Sequence, residues 1–169
     1  MRKTAIHEAG HAIVGNALGI PPVFTTVVSR GEYGGYVYVA DEEKSRYTKE
    51  ELLNKICMAL AGRAAEVMEL GEDGVNTGAS SDLKNASNIA MAMLCDYGMD
   101  NSLMCYSKKD APSHIIEKAS RLLENEYERA SRILQENRDK LHRVAEILVE
   151  KNSLTQDEME MILKGGDNQ

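Results

Sequence analysis

Apolar residues recur every three or four positions along much of this 169-residue chain, which is the spacing of helices with one buried face. The pattern is longest after Pro112, where it predicts either one long helix or two helices broken near Asn137. Two earlier stretches predict further helices, at about residues 48–70 and 81–96. The chain is therefore predicted to be mainly α-helical.

The first predicted helix, at about residues 3–18, has a different composition because it is apolar on nearly every side. It ends where Gly19 and the pair Pro21-Pro22 interrupt the pattern. A helix without a polar face is typically buried. We therefore expect this first helix to lie in the core of the domain.

Two short polar patterns mark the starts of helices. Thr48 is followed three residues later by Glu51, and Thr155 is followed three residues later by Glu158. In a capping box the hydroxyl of the first residue accepts a hydrogen bond from a backbone N–H, and the acid reaches back to the start. The first pair predicts the beginning of the helix at 48–70, and the second predicts a short last helix.

β-Branched and aromatic residues predict a small β-hairpin after the first helix. Residues 23–29 and 36–39 have the composition of strands, and a turn at 31–35 connects them. The length fits one domain with a real core. We therefore predict a single domain over residues 1–169, mainly α with a small β-hairpin, whose end at 164–169 is frayed.

Charge and composition limit the kinds of partner and the cellular compartment expected for this chain. The net charge of −7 gives no support for binding to nucleic acid or to an anionic membrane. The cysteines Cys57, Cys95 and Cys105 form no C-x-x-C pair, and without a secretory signal pattern they predict reduced thiols in the cytoplasm. Residues 12–29 carry no charge, but their prolines and polar residues argue against a membrane span.

The candidate chemistry lies in the first helix, where residues 7–11 have the pattern H-E-x-x-H. Two histidines four positions apart, His7 and His11, fall on one helix face and can reach one metal ion. Glu8 lies beside them, where it can take a proton from a metal-bound water. The less specific interpretation is a pair of surface histidines. Gly10 weakens the helix by about 1 kcal/mol relative to alanine, which close approach of another backbone would explain.

The third metal ligand must come from elsewhere in the chain. The metzincin pattern would place glycine and histidine where Val14 and Ala17 stand, so that class is excluded. Two acids, Glu66 and Asp82, stand out as candidates for this ligand. Asp82 is favoured, because capping by Ser80 would place it in the first turn of a helix, where the dipole favours a carboxylate. An ordinary first-turn aspartate fits the local pattern as well. Glu66 could instead hold a ligating imidazole by its other ring nitrogen.

Four segments occur in a definite order along the chain: TAIHEAGHA at 4–12, LAGRAAE at 60–66, TGASSDL at 77–83 and LQENRDKL at 134–141. This series resembles the zinc peptidase domain of FtsH-type AAA proteases, and the resemblance covers essentially the whole chain. It implies a zincin-like helical peptidase fold. It also implies a zinc site in which His7, His11 and Asp82 are the ligands. Glu8 is then the catalytic base, and Glu66 supports the site.

The resemblance further implies a zinc-dependent metalloendopeptidase that hydrolyses peptide bonds of unfolded polypeptides. That family carries an ATPase module, but this chain has no G-x-x-x-x-G-K-[ST] phosphate loop. We therefore expect the ATPase module in a longer polypeptide. The resemblance also implies a homo-oligomer, hexameric in that family. A cytoplasmic location is expected, and tethering of a longer parent protein to a membrane stays open.

Two other functions are weighed against this interpretation. The chain could be a non-catalytic, zinc-stabilised protein-interaction module, but structural zinc needs a fourth ligand and no base, so Glu8 argues against it. A zinc hydrolase acting on something other than peptides is compatible with the motif, but the whole-chain resemblance disfavours it. The hairpin either binds substrate by strand addition or is purely structural.

Overall fold

The computed structural model describes residues 1–28, 35–39 and 44–164. Within these ranges, six helices and three short strands follow one another in this order: α1 (Arg2–Ala17), β1 (Pro22–Thr26), β2 (Tyr36–Val39), α2 (Lys49–Leu70), α3 (Ser80–Cys95), α4 (Ser113–Glu136), α5 (Arg138–Lys151), β3 (Ser153–Thr155) and α6 (Gln156–Lys164). The mainly helical fold with a small β element is confirmed. The predicted frayed end lies outside the described residues, apart from Lys164.

Helix α1 is the centre of the packing, as its apolar composition predicted. Its residues from Ala5 to Gly15 are buried, and its main neighbours are α2 and α5. Small side chains of α1 meet small side chains of α2, so the two backbones approach closely. A second apolar cluster joins α2, α3 and α4. In the part of the chain that the structure describes, no helix combines the length and the apolar character needed to cross a membrane.

The predicted helix boundaries have the expected polar contacts. At the start of α2, the Thr48 hydroxyl accepts from the N–H of Glu51 at 3.2 Å, and the Glu51 carboxylate accepts from the N–H of Thr48 at 2.7 Å. The equivalent pair does the same at the start of α6. The chain breaks between α4 and α5 at Asn137, whose side-chain amide donates to the carbonyl of Ile133 at 2.9 Å. Both capping boxes are thus confirmed, and of the two alternatives left open after Pro112 the structure has two helices that meet at Asn137.

The strands form one antiparallel sheet in the order β2-β1-β3, which confirms the hairpin and adds a strand to it. The strand predicted at 23–29 is shorter in the structure, because β1 ends at Thr26. There the Thr26 hydroxyl donates to the carbonyl of Asn152 at 2.9 Å, and the Val27 N–H donates to the same carbonyl at 3.0 Å. Most of the predicted turn, residues 31–34, lies outside the described residues.

Candidate metal centre and cleft

Two histidines of α1 and one aspartate of α3 converge on a single point. The Nε2 atoms of His7 and His11 are 3.1 Å apart. The Asp82 Oδ2 atom lies 3.1 Å from the first nitrogen and 3.5 Å from the second. Zinc bonds of about 2.0–2.1 Å in tetrahedral geometry separate ligand atoms by about 3.3 Å. The three atoms therefore have the spacing of three corners of a zinc tetrahedron.

The outer nitrogens of both imidazoles have hydrogen-bond partners that determine where the protons lie. The His11 Nδ1 atom is 2.8 Å from the carbonyl of Met58, which accepts only. The His7 Nδ1 atom is 2.9 Å from a carboxylate oxygen of Glu66. Each Nδ1 therefore donates, and in the neutral ring each Nε2 carries a lone pair. Two lone pairs and a carboxylate oxygen directed at one another at this distance are the donor set of a cation.

Asp82 reaches this point because of its place in α3. Helix α3 begins at Ser80, which is its first residue and makes no side-chain cap; the cap position belongs to Ala79. The prediction that Ser80 caps the helix is therefore wrong, because the preceding 3₁₀ turn (Thr77–Ala79) already leads into the helix. The prediction that Asp82 lies in the first turn is confirmed. Burial alone would raise the pKa of Asp82, but when the imidazoles are protonated the hydrogen bonds from His11 and His7 outweigh burial and lower this pKa below its usual range.

Glu66 and Glu8 are both buried carboxylates, with exposed fractions of 2% and 5%, but their surroundings differ. Glu66 lies behind His7, on the side away from Asp82, which is the position that its predicted supporting role needs. Glu8 follows His7 directly in α1 and lines the cleft, as Glu66 also does. Burial raises the pKa of Glu8 above its usual value, and the positive charges that His11 and His7 carry when protonated oppose the rise. A raised pKa brings a carboxylate closer to the range of an effective general base.

Three glycines allow the elements of the site to approach one another, and Gly10 is the one whose place in the sequence suggested such an approach. A Cβ at Gly10 would lie 2.8 Å from the carbonyl oxygen of Ala61, which confirms the close backbone approach predicted there. A Cβ at Gly62 would lie 2.6 Å from the Nε2 atoms of both histidines. A Cβ at Gly35 would lie 2.8 Å from a carboxylate oxygen of Glu8. The imidazoles therefore rest on bare backbone of α2.

The metal centre lies in a cleft of about 1310 Å³. Strand β2 lines one side of the cleft, and the first half of α2 together with the start of α3 lines the other sides. Among the described strands, β2 pairs with β1 on one edge and is at the border of the sheet on the other. The cleft therefore places an edge strand beside the three converging ligand atoms.

The remaining two histidines lie elsewhere. His114 is exposed and makes an edge contact with the ring of Tyr106. His142 is exposed and lies 2.7 Å from a carboxylate oxygen of Glu69. Neither residue lines the cleft.

Sequence comparison relates this arrangement to known proteins. The family model described as peptidase family M41 matches residues 1–120, which include the whole metal centre. The chain belongs to peptidase family M41. The match also contains β2, α2 and the first turn of α3, so every side chain of the converging group lies in the part shared with the family.

Individual relatives cover nearly the whole chain. ATP-dependent zinc metalloprotease FtsH 1 of Thermoanaerobacter sp. is 37% identical in an alignment that covers 96% of this chain and 30% of that protein. ATP-dependent zinc metalloprotease FtsH of Thermus thermophilus is 35% identical, over 97% of this chain and 29% of that protein. A rice relative, ATP-dependent zinc metalloprotease FTSH 9, chloroplastic/mitochondrial, is 34% identical over 95% of this chain. The chain thus spans about 30% of the length of the first two relatives.

Proposed function

We propose that this chain is a zinc-dependent metalloendopeptidase in which His7, His11 and Asp82 hold the zinc ion and Glu8 is the catalytic base. One observation carries the proposal: three donor atoms converge at 3.1–3.5 Å, with a buried carboxylate beside them in an open cleft. Among the described residues the metal-binding group has three members. Three protein ligands are typical of catalytic zinc, whereas structural zinc has four, so this disfavours the non-catalytic alternative.

The residues of the site divide the chemistry among them. A zinc ion at this position supplies Lewis acidity and lowers the pKa of water to about 7. Glu8 accepts the proton of the attacking water and returns it to the leaving amine. Glu66 and the Met58 carbonyl hold the two imidazoles in the orientation that directs Nε2 inward.

The cleft favours an extended polypeptide as the substrate. Among the described strands, β2 is at the border of the sheet, and its residues Tyr36, Val37 and Val39 line the cleft. An extended peptide can pair with such an edge through its backbone, whatever its side chains are. A folded domain has few free backbone groups to offer, so unfolded segments are the proposed substrates.

The proposed setting is a larger, ATP-driven assembly. The matched relatives are called ATP-dependent zinc metalloproteases, and they are about three times as long as this chain. We propose that an ATPase module in a longer polypeptide unfolds the substrate and that this domain cleaves it. Homo-oligomeric assembly, hexameric as the sequence resemblance implied, belongs to the same proposal.

Cleavage of an unfolded protein of the casein type by the purified chain tests this function. A chelator should abolish cleavage and added zinc should restore it. Glu8→Gln keeps the shape of the side chain but cannot accept a proton, so it should lower the rate about 100-fold or more with zinc retained. Glu126→Gln is the matched control, because Glu126 is also a buried glutamate but lies outside the cleft. Full activity in Glu8→Gln would remove Glu8 from the mechanism.

A further inference from the structure

One arginine of α2 joins the two sides of the candidate metal site. Arg63 lies three residues before Glu66, and its guanidinium is partly buried. The Arg63 Nη2 atom donates to the main-chain carbonyl of Asn76 at 2.7 Å. The Arg63 Nε atom lies 3.6 Å from the Glu66 Oε2 atom. A single side chain therefore contacts both Glu66 on α2 and the segment that leads into α3.

The first contact acts on the His7 side of the site. Glu66 uses its Oε1 atom for the Nδ1 atom of His7, at 2.9 Å. Its Oε2 atom is buried and has no hydrogen bond, and the same is true of the Arg63 Nε atom 3.6 Å away. A buried carboxylate is stable only with a partner for its charge. The guanidinium is therefore the group that keeps Glu66 in place behind His7.

The second contact acts on the Asp82 side. The Asn76 side chain accepts from the N–H of Gly78 at 2.6 Å and so closes the turn that precedes α3. The 3₁₀ turn Thr77–Ala79 continues directly into α3, and Asp82 lies in the first turn of that helix. By holding the Asn76 carbonyl, Arg63 ties the start of α3 to α2.

We propose that Arg63 is a positioning residue that sets the separation of His7 and Asp82, and thereby the affinity of the site for zinc. The inference rests on the proposed metal site but adds a residue that contacts none of the three ligand side chains. It depends on the planar guanidinium, whose separate N–H groups can serve both contacts at once. A lysine ammonium is a point charge on a flexible stem and cannot reproduce this fork.

Zinc affinity, measured by competition with a chromophoric chelator, tests the proposal without relying on activity. Arg63→Met keeps the apolar stem and removes the guanidinium. Loss of partners behind metal ligands weakens metal binding about 10- to 100-fold, and we expect a loss in this range. Arg63→Lys should show a smaller loss. Arg129→Met is the matched control, since Arg129 forms the same i,i+3 pair with Glu126 on α4; its affinity should stay within about twofold of the parent.

A double variant separates the two contacts. If Arg63 acted through Glu66 alone, Arg63→Met would add nothing to the loss already caused by Glu66→Gln. The proposal expects a further loss in the double variant, because the Asn76 contact is removed as well. Thermal denaturation monitored by circular dichroism, with a chelator present, verifies that each variant is folded. If Arg63→Met is not folded, the zinc affinity of Arg63→Lys decides whether the guanidinium positions the metal ligands.

The possible outcomes are distinct. Zinc binding by folded Arg63 variants as tight as by the parent would overturn the role of Arg63 and leave the metal site standing. A double variant equal to Glu66→Gln would overturn the contribution of the Asn76 contact. A parent chain that binds no zinc would instead refute the proposed function itself.

Discussion

Replacing Gly62 by alanine should damage the metal site while leaving the fold largely intact. In the structure, a Cβ at this position would lie 2.5 Å from the Cε1 atom of His7 and 2.6 Å from the Nε2 atoms of both histidines. Ordinary carbon contacts are about 3.5–4.0 Å. The imidazoles must therefore retreat by roughly 1 Å, whereas metal–ligand distances tolerate only about 0.2 Å.

The expected magnitude follows from two opposing effects. Overpacking a filled site costs about 1–3 kcal/mol, but alanine in place of glycine inside a helix gains up to about 1 kcal/mol. The metal-free protein should therefore lose at most about 2 kcal/mol of stability. The zinc affinity gains nothing from the better helix propensity of alanine. A cost of about 1–3 kcal/mol for displacing the imidazoles corresponds to roughly 5- to 150-fold weaker zinc binding.

The assay is chelator competition for zinc, combined with chemical denaturation of the metal-free protein. Gly10→Ala is an informative comparison, since its Cβ would meet the Ala61 carbonyl oxygen at 2.8 Å and the Ala65 Cβ at 2.7 Å. Those contacts are between α1 and α2, so Gly10→Ala should lower the stability of the metal-free fold more than Gly62→Ala does. Parental zinc affinity in Gly62→Ala would show that the imidazoles do not rest on α2 as described.

Three further predictions concern the fold and the mode of action. Hydrogen bonds from Lys44 and Thr48 lower the pKa of Glu51 to about 2, so the stability that the ionised Glu51 contributes is present above about pH 4.5 and is lost as the pH falls through 2. In denaturation experiments, Glu51→Gln should therefore be less stable than the parent at pH 7 but not at pH 2. Leu148 is fully buried, and Leu148→Ala should cost about 2–5 kcal/mol in the same assay. The chain alone should cleave an unfolded protein but not a tightly folded one, with or without ATP, because unfolding a domain costs about 5–15 kcal/mol; ATP-stimulated loss of the folded substrate would contradict this.

The helices were predictable because their signals are local. The caps at Thr48 and Thr155 and the break at Asn137 involve residues within four positions of one another, so a single sequence contains all the atoms that form them. The pair His7 and His11 was predictable for the same reason, because helical spacing alone places both on one face.

The features that could not be predicted from the sequence depend on contacts between residues far apart in the chain. Strand β3 has three residues and exists because Leu154 pairs with Thr25, a partner far away in the chain. The importance of Gly62 depends on two imidazoles from α1 that lie against it, and no pattern within α2 indicates this. The role of Arg63 likewise appears only when Glu66 and Asn76 are seen on either side of its guanidinium.

The proposed metal site depends most directly on the choice between Asp82 and Glu66 as the third zinc ligand. Zinc per chain should be measured by elemental mass analysis of the purified parent, Asp82→Ala and Glu66→Ala proteins, each verified to be folded. We expect one zinc in the parent, none in Asp82→Ala after dialysis against a weak chelator, and zinc retained with weaker affinity in Glu66→Ala. Full zinc in Asp82→Ala together with its loss in Glu66→Ala would contradict the assignment of His7, His11 and Asp82 as the metal ligands.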